Sequence, residues 1–174
     1  MIYLGEREIG FDGVEIGFPS VLGCRAIVVV TSSGLFGYHL NGSLNPTKRD
    51  AFVNFITGHT PGAFKTLYAA SAGPGLPADY AELRDIASRL SYTGTIYWAA
   101  LSVGGSVYVH FQDVGHNTCA ITSRPWVDGV DGAAGNKGPY VASADRAIAN
   151  GAATANMFTN VSPAGLIAVY PTAI

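Results

Sequence analysis

The stretch that decides the fold runs Cys24-Arg-Ala-Ile-Val-Val-Val-Thr31, then Ser32-Ser33-Gly34, then Leu35-Phe-Gly-Tyr-His-Leu40. Its first part is β-branched and almost continuously apolar, which is typical of a strand covered on both faces. The small residues in the middle indicate a turn, and the last part has the composition of a second strand. The stretch is therefore predicted to form a β-hairpin.

Short elements are predicted on either side of the hairpin. Apolar residues at helical spacing predict one helix over residues 47–58, with Thr47 as its cap and Gly58 as its stop. The other patterns predict a strand over 64–70, a helix over 79–90, a three-stranded meander over 95–101, 106–114 and 118–123, an exposed glycine-rich loop over 127–138, a short helix over 143–150 and a strand over 166–170. The 22 glycines and nine prolines favour many tight turns. We therefore expect one α+β domain over residues 1–174, a mixed β-sandwich with flanking helices.

The composition excludes several classes of function. Hydrophobic residues make up 48% of the chain and charged residues only 13%, so most of it is predicted to pack rather than to form a solvated tail. The formal charge of -2 arises from scattered residues without runs, which argues against nucleic acid or an anionic membrane as a partner. The charged segment 6–8 interrupts the N-terminus, and no stretch approaches the roughly 18 apolar residues of a membrane span. We expect a soluble protein without a classical export signal.

Cys24 is the best candidate for a chemically active residue. It follows Gly23 at the junction of a loop and a strand, where a thiol can face the loop end of the sheet. A hairpin that turns near Ser32 would place His39 roughly opposite Cys24, and such cross-strand neighbours have Cβ atoms about 4.5–5.5 Å apart. We hypothesise that His39 lowers the pKa of Cys24 and shuttles its proton. The alternative is a buried cysteine that packs as a small apolar residue beside a structural histidine.

These residues resemble a known enzyme family. Val21-Leu22-Gly23-Cys24, followed by an apolar strand, a Ser/Gly turn and Gly37-Tyr38-His39-Leu40, is similar to the Leu-Ser-Gly-Cys motif and downstream histidine of cysteine-dependent glutamine deamidases. That family includes the catalytic domains of the cytotoxic necrotizing factors, the Burkholderia lethal factor type and the chemotaxis receptor deamidases. The resemblance covers residues 21–40 and implies a β-sandwich with flanking helices.

The resemblance also implies a mechanism. Cys24 would attack the side-chain amide of a surface glutamine on a protein substrate, His39 would protonate the departing ammonia, and the backbone N–H groups of Gly23 and Cys24 would bind the oxyanion. No metal and no organic cofactor would be needed. The sequence leaves the oligomeric state open, with a monomer favoured, and we expect a soluble protein of the bacterial cytoplasm or one delivered into a target cell without a classical signal peptide. The 127–138 loop is a candidate for substrate specificity.

The group that orients His39 is left open by the sequence. Several relatives use a threonine about six residues before the cysteine, and this chain has Phe18 there. Ser20, Thr31 or a backbone carbonyl is a possible substitute. The chain also has Val21 and Leu22 where the family motif has leucine and serine.

Other residues offer weaker alternatives. His110, Asp113 and His116 have the spacing of a metal site, but alternate faces of a strand would separate the first two. Cys119 lies in an apolar stretch and is predicted to be in the core. Two further functions stay open: a non-enzymatic binding or structural domain, and a cysteine protease or transglutaminase that uses the same acyl chemistry.

Overall fold

The fold is described from a computed structural model of the protein. The structure describes residues 1–42, 45–72, 76–101 and 104–126, together with the strand segments 147–148, 166–169 and 172–173. Their elements follow in this order: β1 (Ile2–Tyr3), β2 (Glu8–Asp12), β3 (Glu15–Val21), β4 (Cys24–Thr31), β5 (Leu35–Asn41), α1 (Pro46–Gly58), β6 (Phe64–Ala72), α2 (Leu76–Arg89), β7 (Ile96–Leu101), β8 (Val107–Asp113), β9 (Cys119–Pro125), β10 (Ala147–Ile148), β11 (Leu166–Val169) and β12 (Thr172–Ala173).

The described strands form two sheets. The larger sheet has seven strands in the order β10-β2-β5-β4-β6-β7-β11, and the smaller has five in the order β1-β3-β8-β9-β12. The predicted α+β class, with a mixed sandwich and flanking helices, is confirmed.

Strand β4 lies at the centre of the larger sheet, between β5 and β6, and both of its faces are buried. Ile27 and Val29 face a core shared with Phe52 of α1 and Ile86 of α2. The alternate residues face a second core, which the two sheets share, with members from β4, β3, β8 and β9: Ala26, Val28, Val30, Ile16, Phe18, Val109, Phe111 and Ile121. The layers are therefore helices, the seven-stranded sheet and the five-stranded sheet.

The predicted hairpin is confirmed as β4 and β5, but its predicted register was wrong by two residues. Cys24 pairs with Asn41, and His39 pairs with Ala26. The turn is tighter than expected because the N–H of Thr31 donates to the carbonyl of Gly34 at 2.9 Å, which closes the hairpin around two residues.

The predicted three-stranded meander is also wrong in part. Strands β8 and β9 form an antiparallel hairpin, whereas β7 belongs to the other sheet and pairs in parallel with β6. Helix α2 makes the crossover between β6 and β7, as a parallel connection requires. The pattern of residues 95–101 predicts a strand but carries no information about its partner.

The N-cap of helix α1 lies two residues before the predicted cap, Thr47. The cap is Asn45, whose side chain accepts a hydrogen bond from the N–H of Lys48 at 3.0 Å, and Pro46 occupies the first turn instead of Thr47 acting as cap. At the other end the helix stops at Gly58 with His59 as its C-cap.

Near the C-terminus, the short helix predicted over 143–150 is contradicted at Ala147–Ile148, which pair with β2 as a strand. The predicted loop over 127–138 lies outside the described residues. No helix in the described part of the chain is long and apolar enough to cross a membrane.

Asn45→Ala tests the observed cap. The substitution leaves the N–H of Lys48 without its acceptor and should lower the free energy of unfolding by about 1 kcal/mol. Thr47→Ala is the matched control, because Thr47 is exposed and should change stability by less than about 0.5 kcal/mol. Urea denaturation followed by circular dichroism measures both. A larger loss for Thr47→Ala than for Asn45→Ala would contradict the assignment.

Candidate functional site

Cys24 is the first residue of β4 and lies at the open end of the hairpin, opposite the turn at Ser32 and Ser33. Its side chain faces the core between the two sheets, and only 6% of the residue is exposed. The two residues before it, Leu22 and Gly23, are exposed. The thiol therefore lies just below the surface, behind a short exposed loop.

His39 lies on β5 and is completely buried. Residues that pair directly across an antiparallel sheet point to the same face, so His39, which pairs with Ala26, shares the face of Ala26 and Cys24. Cys24 and His39 are thus diagonal neighbours, and residues in this relation are about 7–8 Å apart with their Cβ atoms somewhat closer, within reach of long or aromatic side chains. The fold therefore brings Cys24 and His39 to one face of the sheet. They lie diagonally across the strand pair instead of directly opposite each other, as was expected.

The ring of His39 is fixed by a backbone group. Its Nδ1 lies 2.9 Å from the carbonyl oxygen of Leu4, in the segment between β1 and β2. Because a carbonyl only accepts hydrogen bonds, Nδ1 carries the proton in this contact. In the neutral ring the lone pair is then on Nε2, which is the tautomer that a general base needs.

The orienting contact is therefore the backbone carbonyl, one of the three candidates from the sequence. Thr31 is five residues along β4 from Ala26, or about 17 Å away along a strand, and its hydroxyl donates to the carbonyl of Gly34. The structure thus contradicts Thr31 as an orienting residue. The hydroxyl of Ser20 pairs with that of Ser106 on the way into β8, at 3.3 Å.

Phe18 packs against His39, although its ring cannot form a hydrogen bond with the imidazole. The two rings meet edge to face, with centroids 6.0 Å apart. Phe18 stands where relatives of the resembled family keep a threonine, so packing and the Leu4 carbonyl together restrict the ring of His39.

The electrostatic surroundings keep the Cys24 thiol protonated. Burial raises its pKa, and the nearby carboxylate of Glu6 raises it further. A backbone hydrogen bond from Leu22 and the cations Arg25 and Arg7 act in the opposite direction but do not overcome burial. The expectation that His39 lowers the pKa of Cys24 is not met.

Gly23 is exposed and has open space around its α-carbon. Its φ is +65°, and a Cβ built on it would meet no atom within 4 Å outside its chain neighbours. The predicted oxyanion donors are the N–H groups of Gly23 and Cys24, and Gly23 lies at the surface.

The other candidate residues from the sequence, His110 and Cys119, form no comparable cysteine–histidine arrangement among the described residues. His110 pairs with Glu15, with Nε2 and Oε2 2.9 Å apart, on the outer side of the smaller sheet. No group of three or more His, Cys, Asp or Glu side chains is placed to hold a metal within the described ranges. Cys119 packs at the edge of the inter-sheet core, where burial raises the pKa of its thiol to about 12.

The comparisons with known proteins add no identification. No protein-family model, no curated protein and no solved structure matches the chain. The resemblance to glutamine deamidases stays a prediction that rests on residues 21–40.

Sequence reasoning missed two groups around the hairpin end. Leu4 is apolar, and nothing in its residue type marks its carbonyl as the acceptor for His39. Tyr38 has no predicted role beyond its place in the Gly37-Tyr38-His39-Leu40 segment, yet it is completely buried and its hydroxyl has no hydrogen-bond partner among the described residues. Its position beside His39 in a buried strand was the available signal.

Alkylation against pH tests the protonation state of Cys24. Because burial raises its pKa above the ordinary 9.0, the iodoacetamide rate should keep rising beyond pH 9. Cys119, with a pKa of about 12, should react later still. Peptide mass spectrometry after timed labelling between pH 6 and pH 10 separates the two sites. A Cys24 rate that levels off below pH 8 would show a preformed thiolate and contradict this account.

Proposed function

We propose that the protein is a cysteine hydrolase of side-chain amides, specifically a protein-glutamine deamidase. The observation that carries the proposal is that Cys24 lies on the same sheet face as His39, whose Nδ1 is hydrogen-bonded to the Leu4 carbonyl. This combination supplies a nucleophile, a base and an orienting group, which nucleophilic catalysis requires.

The proposed reaction begins with attack of the Cys24 sulfur on the carboxamide carbon of glutamine. The S–C bond forms while Nε2 of His39 takes the thiol proton, and the amide oxygen becomes an oxyanion. When the oxyanion collapses, the C–N bond breaks and His39 returns the proton to the departing ammonia. Water then adds to the thioester with His39 as base, the S–C bond breaks, and glutamate and the Cys24 thiol are released.

The raised pKa of Cys24 suits this sequence of steps. A neutral thiol needs a base at the moment of attack, and the neutral His39 tautomer has one available at Nε2. The N–H groups of Gly23 and Cys24 are the proposed oxyanion donors, next to the open space at Gly23. Water is the only co-reactant.

The substrate is proposed to be a glutamine on the surface of another protein. Leu22 and Gly23, the two residues before Cys24, are exposed, and we propose that the glutamine side chain enters at this point. We propose that the enzyme acts as a monomer, in the bacterial cytoplasm or after delivery into a target cell.

A second candidate is a non-enzymatic binding or structural domain. It is favoured by the burial of His39 and by the burial that keeps the Cys24 thiol protonated. In that case the pair only fills the core between the sheets.

A glutamine-mimicking chloroketone distinguishes the two candidates. The reagent should alkylate Cys24 much faster than Cys119, and free glutamine should slow the labelling. His39→Gln should lower the Cys24 rate at least about 100-fold, since general base catalysis contributes about 10²- to 10⁴-fold. Intact-mass and peptide mass spectrometry at pH 7.5 provide the measurement.

His59→Gln is the matched control, because His59 also binds a backbone carbonyl, that of Phe55, through Nδ1. Cys24 in the His59→Gln variant should be labelled at the same rate as in the unaltered protein. Equal, slow labelling of both cysteines would favour the non-enzymatic domain. With an unstructured, glutamine-rich polypeptide, ammonia release without chain cleavage indicates deamidation, cleavage indicates a protease, and amine incorporation indicates a transglutaminase.

A further inference from the structure

Asn41 lies directly opposite Cys24 in the strand pair of β4 and β5. At the turn, the N–H of Thr31 donates to the carbonyl of Gly34, which makes these two residues a hydrogen-bonded pair. Bonded and non-bonded pairs alternate along an antiparallel ladder, and an odd number of positions separates Thr31 from Cys24. Cys24 and Asn41 therefore form a non-bonded pair, in which the Cα atoms are only about 4.5 Å apart and the side chains are closest.

His39 and Asn41 lie on the same face of β5, about 7 Å apart along the strand. His39 is completely buried, whereas Asn41 is half-buried and the next residue, Gly42, is exposed. On the inter-sheet face, β5 thus presents an imidazole towards the core and a carboxamide towards the surface. The thiol of Cys24 lies across the ladder from this pair of side chains.

Two hydrogen bonds hold the main chain at Asn41. The ammonium of Lys48 donates to the carbonyl of Asn41 at 2.8 Å, and the guanidinium of Arg25 donates to the carbonyl of Gly42 at 3.0 Å. Both contacts use backbone oxygens. The carboxamide of Asn41 makes no hydrogen bond in the part of the chain that the structure describes. A held main chain thus carries a side chain whose N–H groups are available beside the thiol.

The chemistry of a carboxamide fits the proposed reaction. An asparagine side chain has two N–H donors and no charge. Side-chain amides of this kind bind oxyanions in acyl transfer, and they are most effective where the donor is in place before the charge develops. Gly23 and Cys24 offer only backbone N–H groups to an oxyanion, whereas Asn41 offers a side-chain donor from the opposite strand.

We propose that Asn41 is a further catalytic residue, whose Nδ2 donates a hydrogen bond to the oxyanion formed on the substrate carboxamide. The inference rests on the proposed function and adds a residue to it. As the S–C bond to Cys24 forms, the thiol proton goes to Nε2 of His39 and an electron pair of the C=O bond moves to the oxygen. Asn41 transfers no proton, and its hydrogen bond is stronger to the charged oxygen than to the neutral amide.

The test compares two reagents on the complete protein at pH 7.5. The glutamine-mimicking chloroketone offers a carbonyl to the thiol, and addition of sulfur there creates an oxyanion. Iodoacetamide is attacked at its methylene carbon and creates none. Asn41→Leu, which keeps the size of the side chain but has no donor, should lower the chloroketone rate at Cys24 about 100-fold and the iodoacetamide rate less than about threefold. Timed labelling and peptide mass spectrometry measure both rates.

Asn41→Ala lacks the donor as well and should show the same selective loss, so the result does not depend on one variant. Asn54→Leu is the matched control, because Asn54 is exposed on α1 and the same change there should alter neither rate. Labelling of Cys119 reports on the fold of each variant, since this thiol packs at the edge of the inter-sheet core.

Equal losses with both reagents, or a chloroketone rate that Asn41→Leu keeps and Asn41→Ala loses, would show that Asn41 acts by packing and would overturn the proposal. A chloroketone rate that His39→Gln lowers and both Asn41 variants leave unchanged would retain the deamidase and remove Asn41 from its site. If the chloroketone labels Cys24 no faster than Cys119 in the unaltered protein, the proposed function is overturned, and the role of Asn41 with it.

Discussion

The burial of β4 on both faces is the constraint on which the rest of the structure depends. A strand from which Ile27 faces the helices and Val28 faces the smaller sheet needs a covering layer on each face. It also has a hydrogen-bonded strand on each side, β5 and β6. The same alternation assigns Cys24 to the inter-sheet face. The candidate site therefore follows from the position of the strand in the sandwich.

Sequence reasoning recovered what is encoded locally. The β-branched run of β4 and the small residues of its turn predicted the hairpin, and because the register error was two residues, an even number, the shared face of Cys24 and His39 was still predicted correctly. The partner of β7 could not be predicted, because β6 lies across a helix and the pairing is set by tertiary packing. The Leu4 carbonyl and the buried hydroxyl of Tyr38 were missed for a related reason: their roles come from what surrounds them.

The candidate site combines two opposed electrostatic settings. On the inter-sheet side, burial raises the pKa of the Cys24 thiol and so favours its neutral form, which allows it to lie in an apolar core. At the strand ends, the positive charges of Arg25 and Arg7 act on the same thiol and lower its pKa, against burial and the carboxylate of Glu6. The proposed reaction starts from neutral groups and develops negative charge on an oxyanion. It is therefore suited to a site between an apolar core and positive charges at the strand ends.

The pairing of β3 with β8 has a consequence for how the site forms during folding. Glu15 pairs with Gln112, so the smaller sheet closes a loop of almost a hundred residues, whereas β4 and β5 are joined by a tight turn. Local hairpins form in microseconds, and pairings between distant parts of a chain are slower because of the entropy of loop closure. We expect Cys24 and His39 to share a strand pair early while solvent still reaches them. The thiol becomes shielded only when the second sheet docks, so its accessibility over time reports the last step of assembly.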